Sequence, residues 1–216
     1  MWTHMSKIIT ESVYFIRANF WPMAAIIGPF LCTIALLGAF VEVTEHPMMS
    51  WVYVALSLSG QSYYMCRLIK YMASVATGGC FDPSVSMAEW VRLLIVHILY
   101  GVSVMIGMVA LIIPGLYLSA RLGFAEFETV LDNKKPFEAL NSSWQQTQEY
   151  ALTLMFVAGI AALAALVFSS PITNLSDLDW VLRIVGGALI NIIWSSVLLL
   201  VSVIYFRAYV LSLGYR

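Results

Sequence analysis

The stretch LLIVHILYGVSVMIGMVALIIPGLYLSA, residues 93–120, carries no Lys, Arg, Asp or Glu side chain. About 20 apolar residues in a helix are enough to cross the hydrocarbon core of a bilayer, which is about 30 Å thick. The Pro114-Gly115 pair inside the stretch does not continue a straight helix and indicates a sharp break at a membrane face. The stretch therefore predicts one span over residues 93–113, followed at once by a shorter span over residues 115–130.

The composition extends this prediction to the whole chain. The 216 residues are 61% hydrophobic and 11% charged, whereas about 25% of residues are charged in an average soluble domain. The net charge of −1 provides no bulk attraction to nucleic acid, so a nucleic-acid-binding protein is excluded. We predict an all-α polytopic membrane protein with a single integral domain over residues 1–216. Its six predicted transmembrane helices cover about residues 20–41, 47–66, 93–113, 115–130, 150–167 and 184–206.

Two further segments are amphipathic and too polar to span. Residues 5–19 place Ile9, Val13 and Ile16 on one face at helical spacing, and residues 136–148 begin with Pro136, which suits the first turn of a helix. Each segment predicts a helix that lies at the membrane surface with one apolar face buried.

The positions of the basic residues predict the orientation of the chain. With both termini on one side, that side collects nine Lys or Arg residues, and the opposite side receives Arg183 together with the acidic Glu42, Glu45, Asp177 and Asp179. Lys and Arg concentrate in cytoplasmic loops, so both termini are predicted to be cytoplasmic, in a bacterial inner membrane. The nine residues are Lys7, Arg17, Arg67, Lys70, Arg92, Lys134, Lys135, Arg207 and Arg216.

Two segments carry a resemblance to a known family. They are IIPGLYLSARL at residues 112–122 and KPFEALNSSWQQT at residues 135–147, and IYFRAY at residues 204–209 adds a closing segment. Together they resemble the YciC family of bacterial inner-membrane proteins and the related membrane domain fused to some glycerophosphodiester phosphodiesterases. The resemblance implies a six-helix inner-membrane protein and leaves its molecular activity open. The family's surface helix is often basic where this chain has Asn141 and Ser142, which weakens any inference that this helix binds anionic lipid.

Arg121 is the most informative polar residue, because it lies within a predicted span about 10 Å below the outer face. Burying an unpaired Arg at such depth costs about 2.5 to 3.5 kcal/mol on insertion scales. Its predicted partners are a carbonyl, water or a polar side chain of another helix, with Asn191, Gln61 and His97 as candidates. Arg121 either pins its helix to the bundle or binds a substrate or lipid headgroup, and the sequence leaves both interpretations open.

The sequence gives little support for a catalytic site, a metal site or a disulfide. His97 could act as a base for Ser59 in an intramembrane hydrolase, but no oxyanion donor accompanies this pair. The three cysteines, Cys32, Cys66 and Cys80, have no spacing typical of a metal site or disulfide. We therefore predict no catalytic residue, no metal site and no cofactor.

Two functions remain after these exclusions. The first is a non-enzymatic inner-membrane protein that acts as an accessory factor in envelope or lipid homeostasis, with membrane lipids as partners and with a protein partner or a second copy of the chain left open. The alternative is a small transporter or channel with a polar site around Arg121 and Asn191. A cavity that reaches Arg121 would favour the alternative.

Overall fold

The computed structural model describes residues 2–44, 47–173 and 180–214, with the side chains of residues 2–5, 42–44, 166–173, 180 and 183 left out of the description. These residues form nine helices and no strand, which confirms the predicted all-α class. The helices are α1 Trp2–Ala18, α2 Phe20–Thr44, α3 Pro47–Thr77, α4 Met87–Ala110, α5 Ile112–Leu122, α6 Ala125–Leu131, α7 Pro136–Gln146, α8 Ala151–Thr173 and α9 Trp180–Ser212.

Among the described residues, three helices are long and apolar enough to cross a membrane, through the segments Phe20–Val41, Met87–Ala110 and Ile184–Ser212. A fourth crossing is added if Pro136–Gln146 and Ala151–Ala165, which meet at a bend of 109°, count as one span. The structure therefore has three or four helices of membrane-spanning character, and the sequence predicted six.

Helix α3 accounts for part of this difference. The predicted span 47–66 is its first two thirds, but this region holds several polar side chains, and the helix continues to Thr77. The added turns carry Arg67 and Lys70, so α3 extends beyond an apolar core. Its buried residues lie between Ser62 and Met72, where Leu68, Ile69 and Met72 have no exposed surface.

The predicted span 115–130 is not one helix, and the break before it lies earlier than predicted. The chain leaves the helix at Leu111, where φ is −169° and ψ is 150°, and Pro114 lies in the first turn of α5. Pro114 has no N–H to donate to the carbonyl of Ala110, and its ring would clash with that carbonyl, so a continuous helix is interrupted one turn before the proline.

A second break divides the same segment into α5 and α6. Helix α5 has 11 residues, a length of about 16 Å, and cannot cross a bilayer core. At the break, Gly123 lies so close to Tyr205 that an added Cβ would be 2.1 Å from its ring. The N–H of Phe124 donates to the Ser143 hydroxyl at 3.0 Å, so a side chain of α7 accepts a hydrogen bond from the turn.

Both predicted amphipathic helices are present, as α1 and α7, and both are docked on the bundle. Helix α1 buries Ile8 and Ser12, and its Glu11 accepts a hydrogen bond from Arg207 of α9 at 2.8 Å. Helix α7 buries Ser143 and Thr147. Part of the polar face expected to meet solvent is thus used for contacts inside the protein.

Most of the core lies at one end of the bundle, where the last turns of α3 and α9 and the first turns of α4 meet α1, α6 and α7; we call it the charged end. Here Phe124, Phe127, Phe206 and Tyr209 form an aromatic cluster with ring centroids 5.3 to 6.4 Å apart. Away from this end, large apolar side chains on α2, α3, α4, α8 and α9 are exposed, as expected for surfaces that face lipid.

Ion pairs surround this core. Lys70 pairs with Glu89 at 3.0 Å, and Lys134 pairs with the fully buried Glu128. The hydrogen bond to Glu128 raises the pKa of Lys134 above its ordinary value, against the opposing effect of desolvation. The structure therefore gathers several of the predicted cytoplasmic cations at one end.

The structure does not test the acidic residues that the sequence places on the side opposite the termini. Glu45, Asp177 and Asp179 lie outside the described residues, and the side chains of Glu42 and Arg183 are also left out.

Candidate functional site

A half-open cavity of about 580 Å³ lies between α2, α3, α4, α5, α8 and α9, and it touches the turn into α6. Its walls are predominantly apolar, with Ile27, Leu31, Leu116 and Leu199 among them. Ligand cavities in proteins commonly measure 300 to 1,000 Å³ and combine apolar walls with a few polar groups. The polar residues of this cavity are Tyr53, Ser57, Gln61, Tyr64, His97, Tyr100, Ser119, Glu126, Ser195, Ser202 and Tyr205.

A hydrogen-bonded chain of three side chains borders the cavity. His97 Nδ1 lies 2.8 Å from the Ser62 hydroxyl oxygen, and His97 Nε2 lies 3.5 Å from Glu126 Oε2. Ser62 is fully buried, whereas the side chains of His97 and Glu126 keep 12% and 18% of their surface exposed. The histidine and the carboxylate thus face the cavity, and Ser62 supports the ring from behind.

Two protonation patterns satisfy these atoms without moving any of them. In the first pattern, the Ser62 hydroxyl donates to the Leu58 carbonyl, 2.9 Å away, and accepts from His97 Nδ1–H. A second proton then lies between His97 Nε2 and Glu126, so that the His97–Glu126 pair is neutral overall. In the other, Ser62 donates to Nδ1, and Nε2–H donates to an ionised Glu126, so the net charge is −1. The two patterns differ by one proton and by the orientation of the Ser62 hydroxyl group.

Aromatic and hydroxyl groups complete the polar part of the cavity. Tyr205 donates to the Leu154 carbonyl at 3.3 Å, and Ser119 donates to the Leu116 carbonyl at 2.8 Å. The buried hydroxyl oxygen of Ser202 has no hydrogen-bond partner within the described part of the chain. This hydroxyl group can bond to an occupant of the cavity.

The arrangement suits an organic cation with an apolar body. Glu126 supplies a carboxylate, the rings of Tyr64, Tyr100 and Tyr205 supply electron-rich faces for cation–π contacts, and the apolar walls accept the rest of the molecule. Since the carboxylate can hold either a proton or a cation, the two would compete for the same site.

The four side chains predicted to form a polar centre do not come together. Gln61 and His97 line the cavity, and Arg121 and Asn191 are not among its lining residues. Asn191 is half-buried on α9, where its backbone carbonyl accepts a hydrogen bond from Ser195 at 2.8 Å. The polar centre therefore forms around Glu126 instead of Arg121.

Arg121 is buried, with 5% of its surface accessible. This agrees with the prediction from the free-energy cost of exposing its charge to lipid. Its guanidinium carbon lies 4.5 Å from the centre of the Trp144 ring and 5.8 Å from that of Tyr117. None of the three candidate partners is used. The backbone carbonyl of Arg121 accepts from the hydroxyl groups of Ser143 at 2.8 Å and Thr147 at 3.0 Å, so this residue joins α5 to α7.

The serine considered for a hydrolase is not the one that meets His97. Ser62, one turn beyond Ser59, bonds to the ring, while the Ser59 carbonyl accepts from the indole N–H of Trp90 at 2.9 Å. Ser62 is fully buried, so a substrate carbonyl does not reach it.

Two residues of the site were missed from the sequence. Neither Glu126 nor Ser62 is among the residues that the sequence predicted for a site. A charged residue inside a mostly apolar stretch was the available signal for Glu126, because such residues usually face the interior of a bundle. Ser62 gave no comparable signal, because α3 contains several serines.

Within the described residues, no group of three or more His, Cys, Asp or Glu side chains could hold a metal ion. No family model, curated protein or solved structure matches the chain.

Proposed function

We propose that the chain is a small, non-enzymatic membrane transporter that binds an amphipathic organic cation in its central cavity and exchanges it for a proton at Glu126. The observation that carries this proposal is the contact between His97 and Glu126 at the wall of a mainly apolar cavity. Ionisable residues inside a membrane bundle are costly and commonly mark the path of an ion or proton.

The proposed setting is the bacterial inner membrane, with six spans and both termini in the cytoplasm. Nine Lys or Arg residues on one predicted side support this orientation, as does the grouping of Lys70, Arg92 and Lys134 at the charged end. The two further crossings would then be made by α3 and by the α5–α6 segment.

We also propose a YciC-type relationship. In its support, the residues that carry the resemblance form one contact unit, in which Arg121 is bonded to Ser143 and Thr147 and covered by Trp144. These contacts require the number of residues that separates Arg121 from Ser143, Trp144 and Thr147, which gives the spacing of the two motif segments a physical reason.

An accessory role in envelope or lipid homeostasis is the second candidate function. It is favoured by a second groove, separate from the central cavity, which is lined by Arg67 and by apolar and aromatic side chains.

Binding of tetraphenylphosphonium, an apolar cation, tests the transporter proposal. The purified full-length chain in neutral detergent should bind it saturably, and more weakly at low pH because protons compete for Glu126. The substitution Glu126→Gln should weaken binding roughly tenfold or more, since it removes a charge-assisted contact.

Glu149→Gln is the matched control, because Glu149 is an exposed carboxylate outside the cavity. It should bind like the parent chain. Equal binding by Glu126→Gln in a folded, monodisperse preparation, or affinity independent of pH, would refute the proposal.

A further inference from the structure

A second concave surface lies on the outside of the bundle, between α2, α3 and the start of α4. It has a volume of about 500 Å³ and is about as open as the central cavity. Tyr63 and Met87 on its rim are 46% and 70% exposed, so this groove faces the surroundings of the protein.

Arg67 is the basic residue of the groove, and the protein leaves it unpaired. Its Nε atom is buried and has no acceptor within residues 2–44, 47–173 and 180–214, and no ion pair is formed by its side chain among these residues. A guanidinium stays protonated in proteins, so its charge must be balanced from outside the described chain.

Neighbouring cations differ from Arg67 in this respect. Lys70 pairs with Glu89, Arg92 donates to the carbonyl of Asn133 at 3.1 Å, and Arg207 pairs with Glu11. Each of these half-buried cations has an acceptor in the protein. Arg67 differs from these three cations; it shares a buried Nε atom without an acceptor with Arg121 alone among the described arginines, and the guanidinium of Arg121 lies against aromatic rings.

The remaining walls of the groove are mostly apolar or aromatic, with two serines, Ser59 and Ser86, among them. Ile26 and Pro29 of α2 line one side, and Trp90 of α4 lines another; the indole N–H of Trp90 is already used by the Ser59 carbonyl. The groove thus offers a single cation beside apolar surface, which matches an amphipathic anion better than a hydrated one.

We propose that this groove binds an anionic glycerophospholipid, with Arg67 as the ligand of its phosphate and the α2 wall against its acyl chain. A guanidinium presents a planar fork of donors that matches phosphate oxygens. Arg67 lies one turn before Lys70, which belongs to the charged end, and Trp and Tyr side chains such as Trp90 and Tyr63 of the groove are typical of headgroup depth.

The lipid site is separate from the central cavity. The rings of Phe30 and Tyr64 line both, and with centroids 4.8 Å apart they form the wall between them. Glu126 lies on the cavity side and Arg67 on the groove side. Loss of lipid binding and loss of cation binding would therefore be caused by different substitutions.

Native mass spectrometry of the full-length chain, with added dioleoyl-phosphatidylglycerol or dioleoyl-phosphatidylcholine, tests the proposal. The parent chain should retain one phosphatidylglycerol in preference to phosphatidylcholine. Arg67→Gln should reduce this retention roughly tenfold, and Arg67→Lys should fall between the two because it keeps the charge and loses the fork.

Arg17→Gln is the control, since Arg17 is an exposed cation on α1 that does not line the groove. Unchanged retention in Arg67→Gln, or an equal loss in Arg17→Gln, would overturn the lipid site. Equal binding of soluble glycerol phosphate would also overturn it, because the groove would then be a site for a free anion. Measuring the monodispersity and the helix content of each variant separates a loss of lipid binding from misfolding. Arg67→Lys serves as the conservative substitution in this comparison.

Discussion

At the scale of single residues, a buried charge lies against aromatic rings and forms no ion pair with any residue that the structure describes. The guanidinium of Arg121 lies over Trp144 and near Tyr117, where the electron-rich faces attract it. Trp144 and Tyr117 also meet edge to face, with centroids 5.8 Å apart. Because the carbonyl of Arg121 binds two hydroxyl groups of α7, this one residue fixes α7 to α5 through both its backbone and its side chain.

Trp144→Ala should therefore destabilise the protein although Trp144 is 37% exposed. The expected loss in unfolding free energy is about 2 kcal/mol, since both the cation–π contact and buried ring surface are removed. Trp144→Phe, which keeps a ring, should lose about half as much. Thermal unfolding in detergent, followed by circular dichroism, measures both.

The control for this series is Trp51→Ala, because Trp51 is 74% exposed. It should stay within about 0.5 kcal/mol of the parent. A stability of Trp144→Ala equal to that of Trp51→Ala would show that Arg121 does not depend on the ring.

The sequence was sufficient to predict that Arg121 is buried, because that conclusion needs only the cost of exposing it to lipid. It was not sufficient to identify the partner. Trp144 is 23 positions away in the sequence, and it reaches Arg121 only because the chain turns at Gly123 and again between α6 and α7. The break at Gly123 also places Glu126 beside His97, so the site depended on a break that the hydropathy pattern did not show.

At the scale of elements, α4 and α5 form a tight hairpin with glycine at its contact. A Cβ on Gly107 would lie 2.9 Å from the Cα of Gly115, and a Cβ on Gly115 would lie 2.8 Å from the backbone nitrogen of Met108. Backbone atoms cannot give way as the end of a flexible side chain can. Small residues permit this close approach of helices.

Gly107→Ala should force α4 and α5 apart and lower the unfolding free energy by about 1 to 3 kcal/mol. Gly101→Ala is the matched control on the same helix, because a Cβ there meets nothing within 4 Å. It should be neutral or slightly stabilising, since Ala favours helix more than Gly. Thermal unfolding of both variants measures the contrast, and equal effects at the two positions would mean that the hairpin is not closely packed.

At the scale of the whole molecule, the bundle has a charged end and an apolar remainder. Lys70 donates to the Ser84 carbonyl and Arg92 to the Asn133 carbonyl, so two connecting segments meet at this end. The sequence predicted this grouping from the positions of its cations. Of its six predicted spans, three or four have the length and apolarity of a membrane-crossing helix among the described residues. The α5–α6 segment is broken, and α3 is rich in polar side chains.

Reporter fusions test the proposed orientation. Reporters that are active only in the periplasm should be active when fused after Glu45 and Asp177 and inactive after Gly79 and Lys135, because the charged end is proposed to be cytoplasmic. The reverse pattern, or activity after Gly79, would contradict the proposed topology.

Proton release on ligand binding tests the central claim most directly, since an exchange site must lose its proton when a cation enters. Titration of tetraphenylphosphonium into the weakly buffered, detergent-solubilised chain, with a pH indicator, gives the number of protons released for each cation bound. At a pH where the His97–Glu126 pair is protonated, we predict about one proton for each cation, and none for Glu126→Gln. Cation binding at every pH from mildly acidic to mildly alkaline with no proton release would contradict the account.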